Sequence, residues 1–325
     1  MTVEAKLSAL LAAIQTDPGN RGLARDPHDN LFTACAGDFS EACRSIAAHD
    51  SPVLQVVTGF YIPTASPPAM ETDGPLGAVF LARALAALRI EVSIVSENAC
   101  RKAISAGLAA VGQQPRFIEV AGTRGGVAGG MNEMLLGASA DPTCWPTHRI
   151  GLERVGPAGD GRCYSMRGRD ISDHTAPAEL LFTEENWRYS GPRENEGRPS
   201  WLVETIGIGD GGNEIGMGKI AHETIVKNIP GGDKIHCRVS TDRLIVAGVS
   251  NWGAYALAAG VYILRGAQPL KDIFEPEEER RILEAMVEDG PLVDGVTGRQ
   301  TATVDGLSWE EYSKPLRMIQ AILET

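Results

Sequence analysis

The stretch I-G-I-G-D-G-G-N-E-I-G-M-G-K (206–219) closes an apolar run that begins at W-L-V-E-T (201–205). A strand running into a glycine-rich turn is the entry to a ligand loop in α/β proteins, because glycine lets backbone N–H groups approach a bound group closely. Gly207, Gly209 and Gly212 satisfy G-x-G-x-x-G, the spacing used for dinucleotides. Asp210 lies inside that turn, however, and Glu214 lies two residues past it. Both carboxylates would repel a pyrophosphate unless a metal intervened. The Walker pattern fails too, because Lys219 is followed by Ile220. The loop therefore reads as an acid–base or divalent-metal loop on an α/β scaffold.

Working outward, short apolar runs alternate with helical patterns. V-L-Q-V-V (53–57), E-V-S-I-V (91–95), F-I-E-V (117–120), R-I-G-L-E (149–153), W-L-V-E-T-I-G-I (201–208) and L-I-V-A-G-V (244–249) read as strands. Pro75 opens one helix, another runs from about Asn98 to Val111, and Ser250 is placed to cap a third through Leu264. Two helices precede the first strand, over 3–15 and after Asp38, where Asp38 and Glu41 form a capping-box-like start. Residues 275–289 read as a charged helix with a solvated face, 296–306 as a small hairpin, and 190–200 as a surface loop. The expected fold is α/β: three layers, a largely parallel sheet with flanking helices, and a small helical N-terminal cap. A single domain over 1–325 is expected, with the cap at 1–50 and the α/β body at 51–325.

Composition narrows the partners. A formal charge of −12 and a pI near 5.0 leave no basic footprint for nucleic acid or for an anionic membrane surface. No apolar stretch reaches membrane-spanning length, and the amphipathic N-terminus lacks the pattern of a leader, so a cytoplasmic protein is expected. Six cysteines, at 35, 43, 100, 144, 163 and 237, include no C-x-x-C pair and read as reduced, mostly buried thiols. Homo-oligomer formation is left open.

The polar residues fall where strands end. Thr58 and Gly59 follow the first strand, with Glu71 and Asp73 in the loop before the next helix. Arg124 follows the third strand, Glu153 and Arg154 the fourth, the 206–219 loop the fifth, and Ser250, Asn251 and Trp252 the sixth. Ligands of open α/β sheets bind beyond the carboxyl ends of the strands, so these loops would share one edge. Asp73, Glu153, Asp210 and Glu214 are the candidate acid–base cluster. Glu71, Asp73, Asp210 and Glu214 are the candidate ligands of a divalent metal (Mg or Mn), though no cofactor is required by the pattern. Thr58, Gly59, Glu71, Arg124, Arg154, Gly211, Gly212, Asn213, Lys219, Ser250, Asn251 and Trp252 are candidates for holding a small-molecule substrate. Some have a plainer alternative: Asp73 as a helix cap, Glu153 paired to a basic residue, Trp252 as core, Asn213 and Asn251 as turn residues.

With those loops in hand, the chain resembles the D-glutamate cyclase family. The resemblance is carried by D-P-G-N-R-G (17–22), T-G-F (58–60), E-T-D-G-P-L-G-A (71–78), L-E-R-V-G…D-G-R-C-Y (152–164), G-D-G-G-N-E-I-G-M-G-K (209–219) and A-G-V-S-N-W-G-A-Y-A-L (247–257), in order along nearly the whole chain. Two positions depart from the family pattern: Ala254 stands where glycine is expected and Cys163 where tyrosine is usual. The resemblance implies a lyase that reversibly dehydrates D-glutamate to 5-oxo-D-proline. The residues alone leave two other classes open, a Mg-dependent nucleotide-linked transferase and a non-catalytic acidic amino-acid-binding protein.

Overall fold

The computed structural model describes residues 1–114, 116–120, 145–183, 189–190 and 201–325. Six strands form one sheet: β1 (Val53–Thr58), β2 (Glu91–Ser96), β3 (Phe117–Glu119), β4 (His148–Leu152), β5 (Glu204–Gly209) and β6 (Arg243–Val246). Their order is β6-β5-β4-β1-β2-β3, and every neighbouring pair is parallel. The order runs outward from β1 in one direction through β2 and β3, and in the other through β4, β5 and β6. The strand order therefore reverses between β1 and β4, and their carboxyl ends flank the crevice where an open α/β sheet binds its ligand.

Alternating side chains place both faces of the sheet in apolar surroundings. Leu54, Val56, Ile94, Ile150, Leu152, Ile206 and Ile208 enter the main core. Helices α1 (Val3–Ile14), α2 (Asp38–Ala48), α3 (Pro75–Ala86), α4 (Asn98–Ala110), α5 (Ser250–Leu264), α6 (Pro276–Glu288) and α7 (Lys314–Leu323) share that core. Helix α5 is its axis: Ser250 to Tyr262 are all buried, as expected of a helix that is apolar all round. The N-terminal helices α1 and α2 pack directly on α5, which makes them part of this layer. Val57, Val95 and Ile118 point the other way, against Ala178, Leu181, Phe182 and Ile215. That second outer layer is built from two 3-10 turns (Ser172–His174 and Ala178–Leu181) and the short helices His222–Asn228 and Gly232–Ile235. The fold is α/β with a parallel sheet between two unequal layers.

Several local expectations change. The run at 201–208 divides into a two-residue strand, Trp201–Leu202, which pairs antiparallel with Tyr189–Ser190, and β5. Asp38 is the first helical residue of α2 rather than its cap; its Oδ2 instead accepts the Leu244 N–H at 2.7 Å and lies 2.5 Å from Lys219 Nζ. Ser250 likewise begins α5 without capping it, because its hydroxyl is given to Glu153 at 2.5 Å. No strand pair forms over 296–306. The Asp294 carboxylate accepts the N–H groups of Val296, Thr297 and Gly306, so those donors need no partner strand. Helix α6 has a solvated face, as expected, but also buries Glu279 completely. The segment 191–200 lies outside the described residues.

One glycine contact shapes the 206–219 loop. A Cβ on Gly207 would lie 2.7 Å from Gly216 Cα and 2.9 Å from the Ile215 carbonyl oxygen. The loop can fold back over β5 only because neither glycine has a side chain. Gly207→Ala is expected to destabilise by about 1–3 kcal/mol through overpacking. Urea unfolding checks this, and an unchanged midpoint would mean the loop shifts freely off the strand.

Candidate functional site

The strand ends deliver their carboxylates to one place. Leu152 ends β4, and Glu153 then takes a left-handed backbone (φ 43°) while its N–H continues the ladder to Ile208 O at 3.1 Å. The turn aims the buried Glu153 carboxylate at Ser250, whose hydroxyl donates to Oε2. Before α3, Gly74 at φ 89° lets the chain turn tightly; a Cβ there would lie 2.6 Å from Thr58 Oγ1 and 2.8 Å from Glu153 Cβ. Asp73 consequently sits over the N-terminus of α5. It accepts the N–H of Ser250 at 2.9 Å and of Asn251 at 2.8 Å, the interaction a helix N-terminus offers an anion. Asn251 in turn uses Oδ1 to accept the Gly74 and Gly77 N–H groups at 2.9 and 2.8 Å.

The glycine loop already holds an anion of its own. Glu214 folds back so that Gly212 N–H donates to Oε2 at 2.7 Å and Asp210 N–H to Oε1 at 3.3 Å. A phosphate would have to displace that carboxylate, which counts against a nucleotide cradle. The loop's other acid, Asp210, projects to the same crevice as Asp73 and Glu153.

Two residues outside the strand-end pattern complete the centre. Arg21 comes from the D-P-G-N-R-G turn, whose Asp17 carboxylate collects the N–H groups of Arg21, Gly22 and Leu23. Its guanidinium lies 2.5 Å from Asp210 Oδ2 and 2.9 Å from Asp305 Oδ1. Asp305 comes from the C-terminal region and, like Asn20 and Glu153, has a positive φ, at 56°. Three residues held in that sparsely populated region thus lie in or next to one site, which is where local strain tends to collect. A signal for Arg21 existed in the 17–22 motif; Asp305 follows V-T-G-R-Q-T-A-T-V, where nothing local marks a site.

These groups line a cavity of about 370 Å³. Glu71, Glu153, Asp210, Asp305 and Arg21 form its polar part, Phe60, Tyr61, Ile62 and Met166 its apolar part, and Arg167 and Arg169 are exposed members of its lining. Glu71 carries no side-chain hydrogen bond among the described residues, and a Cβ on Gly295 would overlap its carboxylate. Burial first, and then neighbouring carboxylates, push Glu71 and Glu153 well above the usual carboxylate range. Burial also raises Asp210, against the pull of Arg21, and raises Glu214 against its own backbone hydrogen bonds. Asp73 is pushed up to about 7 by burial and by Asp305, with the α5 N–H groups opposing. Burial disfavours the Arg21 cation, but Asp210 and Asp305 outweigh it and hold Arg21 well above its ordinary value.

Asp73, Asp210 and Asp305 can bring one oxygen each within 4.8 Å of one another, and so can Glu153, Asp210 and Glu214. Among the described residues Asp210 Oδ2 and Asp305 Oδ2 are buried without a hydrogen-bond partner, so the Arg21–Asp210 contact is a charge contact rather than an aligned hydrogen bond. An all-carboxylate set suits a hard divalent cation such as Mg or Mn, which would have to share Asp210 with Arg21. Of the metal candidates read from sequence, Glu71 falls in neither set.

The remaining candidates do not line the cavity. Arg154 is buried and committed to Glu97 through two contacts of 2.6 Å, and to the carbonyls of Gly59 and Ala176. Lys219 is tied to Asp38 and the Asp242 carbonyl. Trp252 is core, its indole N–H on Tyr312 O. Asn213 bonds the Tyr164 carbonyl, Thr58 Oγ1 is buried without a partner, and Gly211 packs near Met166 Sδ. Arg124 lies outside the described residues, as does Cys144. The five other cysteines form no disulfide among the described residues.

The raised carboxyls predict a stability profile. A group with a raised folded pKa adds stability below its unfolded value that is lost as pH rises through the folded one. Melting temperature is therefore expected to fall from about pH 4, the unfolded carboxylate value, through 7 and beyond. Mg or Mn should restore part of the loss. A melting temperature that rises across this window would refute the raised values.

An open parallel sheet with a buried polycarboxylate centre at its reversal point defines the class: an α/β protein whose acidic clusters could hold a metal ion. The model of the family described as D-glutamate cyclase-like, C-terminal, matches residues 10–322, and the chain belongs to that family. It is similar to the human protein named "D-glutamate cyclase, mitochondrial", at 30% identity over 342 aligned residues. The alignment takes in 98% of this chain and 52% of the human protein, so the chain spans about half the length of that relative. Among the described residues no helix is long and apolar enough to cross a membrane.

Proposed function

We propose that this chain reversibly dehydrates D-glutamate to 5-oxo-D-proline, with Asp73, Glu153, Asp210 and Glu214 as its acid–base carboxylates. The observation that carries the reading is the set of carboxyls, Glu71, Glu153, Asp210 and Asp305, that lines one cavity with Arg21, with Asp73 within reach of Asp210 and Asp305. In ring closure the amine nitrogen bonds to the γ-carbon and one C–O bond breaks. The ammonium gives up two protons, and the departing oxygen takes two and leaves as water. Neutral carboxyls are needed to protonate that oxygen, and an ionised one to accept from nitrogen; carboxyls pushed to different values supply both. A divalent cation, where present, would polarise a substrate carboxylate at Asp210 and Asp305. A cavity that holds the chain folded for a five-membered ring adds rate through orientation.

Chiral chromatography after incubation with D-glutamate, and separately with 5-oxo-D-proline, tests the reading with and without chelator. Interconversion in both directions is expected. Binding of either compound without conversion would make this a binding protein instead.

A further inference from the structure

A second buried polar system reaches the site from behind. Glu279 of α6 is fully buried, and its Oε2 lies 2.9 Å from Arg83 Nη2 of α3. Arg83 is held in turn by the carbonyls of Asp272 and Ile273. Tyr255 of α5 donates its hydroxyl to Glu279 Oε1 at 2.8 Å. The Tyr255 and Tyr312 hydroxyls are 2.6 Å apart, and Asn251 Nδ2 donates to Tyr312 OH at 3.1 Å. All five side chains are buried.

The direction of this chain follows from its ends. With Glu279 accepting, Tyr255 must receive from Tyr312, and Tyr312 from Asn251. The Asn251 amide is thus held from both sides, its nitrogen on Tyr312 OH and the Thr72 carbonyl and its oxygen on the N–H groups of Gly74 and Gly77. That orientation locks the start of α3 to the start of α5, and Asp73 sits between them on the Ser250 and Asn251 N–H groups. A partner that donates at the Glu279 position would let the hydroxyl protons run the other way and loosen the Asn251–Tyr312 bond that anchors the amide.

We propose that Glu279 is a positioning residue for the candidate site, acting through Tyr255 and Tyr312 to hold the Asn251 amide that aligns Asp73. A bare packing role would not require this continuity: an apolar core of equal volume is generally as stable as a buried ion pair, and often more so. Only the kinetic part of the test rests on the proposed lyase reading.

The experiment compares Glu279→Gln and Tyr312→Phe with Tyr262→Phe in the full chain. Tyr262 lies on the same helix and donates to Ala84 O at 2.6 Å, outside the chain of bonds. Amide hydrogen exchange at Gly74 and Gly77 is read first, without substrate. About tenfold faster exchange is expected in Glu279→Gln and Tyr312→Phe, the loss of roughly one hydrogen bond. Tyr262→Phe should leave those two amides unchanged. Turnover of D-glutamate should fall about tenfold in the first two variants with KM within twofold, the mark of lost alignment rather than lost binding. Unchanged exchange at Gly74 and Gly77 in both variants, or an equal change in Tyr262→Phe, overturns the proposal. If the unmodified protein does not cyclise D-glutamate, the lyase reading fails, while the exchange comparison still decides this one.

Discussion

Replacing Arg21 with Met is expected to abolish turnover and to cost stability in a pH-dependent way. The guanidinium faces Asp210 and Asp305, whose side chains are 3% and 8% exposed, so little solvent screens the charges it neutralises. Removing one partner of a buried ion pair costs about 3–5 kcal/mol when the other stays charged. Here the remaining partners can take up protons. Arg21 lowers Glu71, Asp73, Asp210 and Glu214, and without it all four rise further. Stability carried by a raised carboxyl is present below its unfolded value and lost as pH rises through the folded one. The deficit should therefore be small at pH 5 and approach the full cost at pH 8. Urea unfolding at the two pH values measures it. An equal deficit at both would mean that Arg21 contributes packing alone.

Asp210→Asn should separate activity from stability. Asparagine keeps the shape and removes one carboxylate from both clusters that contain Asp210. Loss of a general acid or base typically lowers turnover by about 10²–10⁴-fold. The same change relieves repulsion with Glu153 and Glu214 while Arg21 keeps its ion pair with Asp305, so the variant should melt at or above the parent temperature near neutral pH. Opposite effects on turnover and stability are what a strained functional centre produces. Normal turnover in both Asp210→Asn and Glu214→Gln would rule out the carboxylate cluster as the reacting group.

How far the sequence could be read varies with the range of the interaction. Each of the six strand runs contains a strand of the parallel sheet, because apolar runs between turn residues are a local property. Caps were less legible. Asp38 and Ser250 stand where caps belong, yet their side chains are drawn to Lys219 and Leu244 in one case and to Glu153 in the other. The hairpin expected at 296–306 does not form, because one acid, Asp294, takes the N–H groups of Val296, Thr297 and Gly306. Arg154 looked available to an anion by position, but Glu97, from the turn before α4, consumes it.

By itself, the sequence determined that the 206–219 loop carries acid where a phosphate site would carry none, and that Asp73, Glu153, Asp210 and Glu214 lie at strand ends of an α/β sheet. Those are consequences of spacing and residue type, and they hold whatever the rest of the chain does. Tertiary structure alone decided which charges meet. It brought Arg21 from the N-terminal turn and Asp305 from the C-terminal region onto Asp210, and it turned Glu214 inward to fill its own loop. The physical reason is that a carboxylate's protonation depends on burial and on neighbours within a few ångströms, and neither is encoded in adjacent residues.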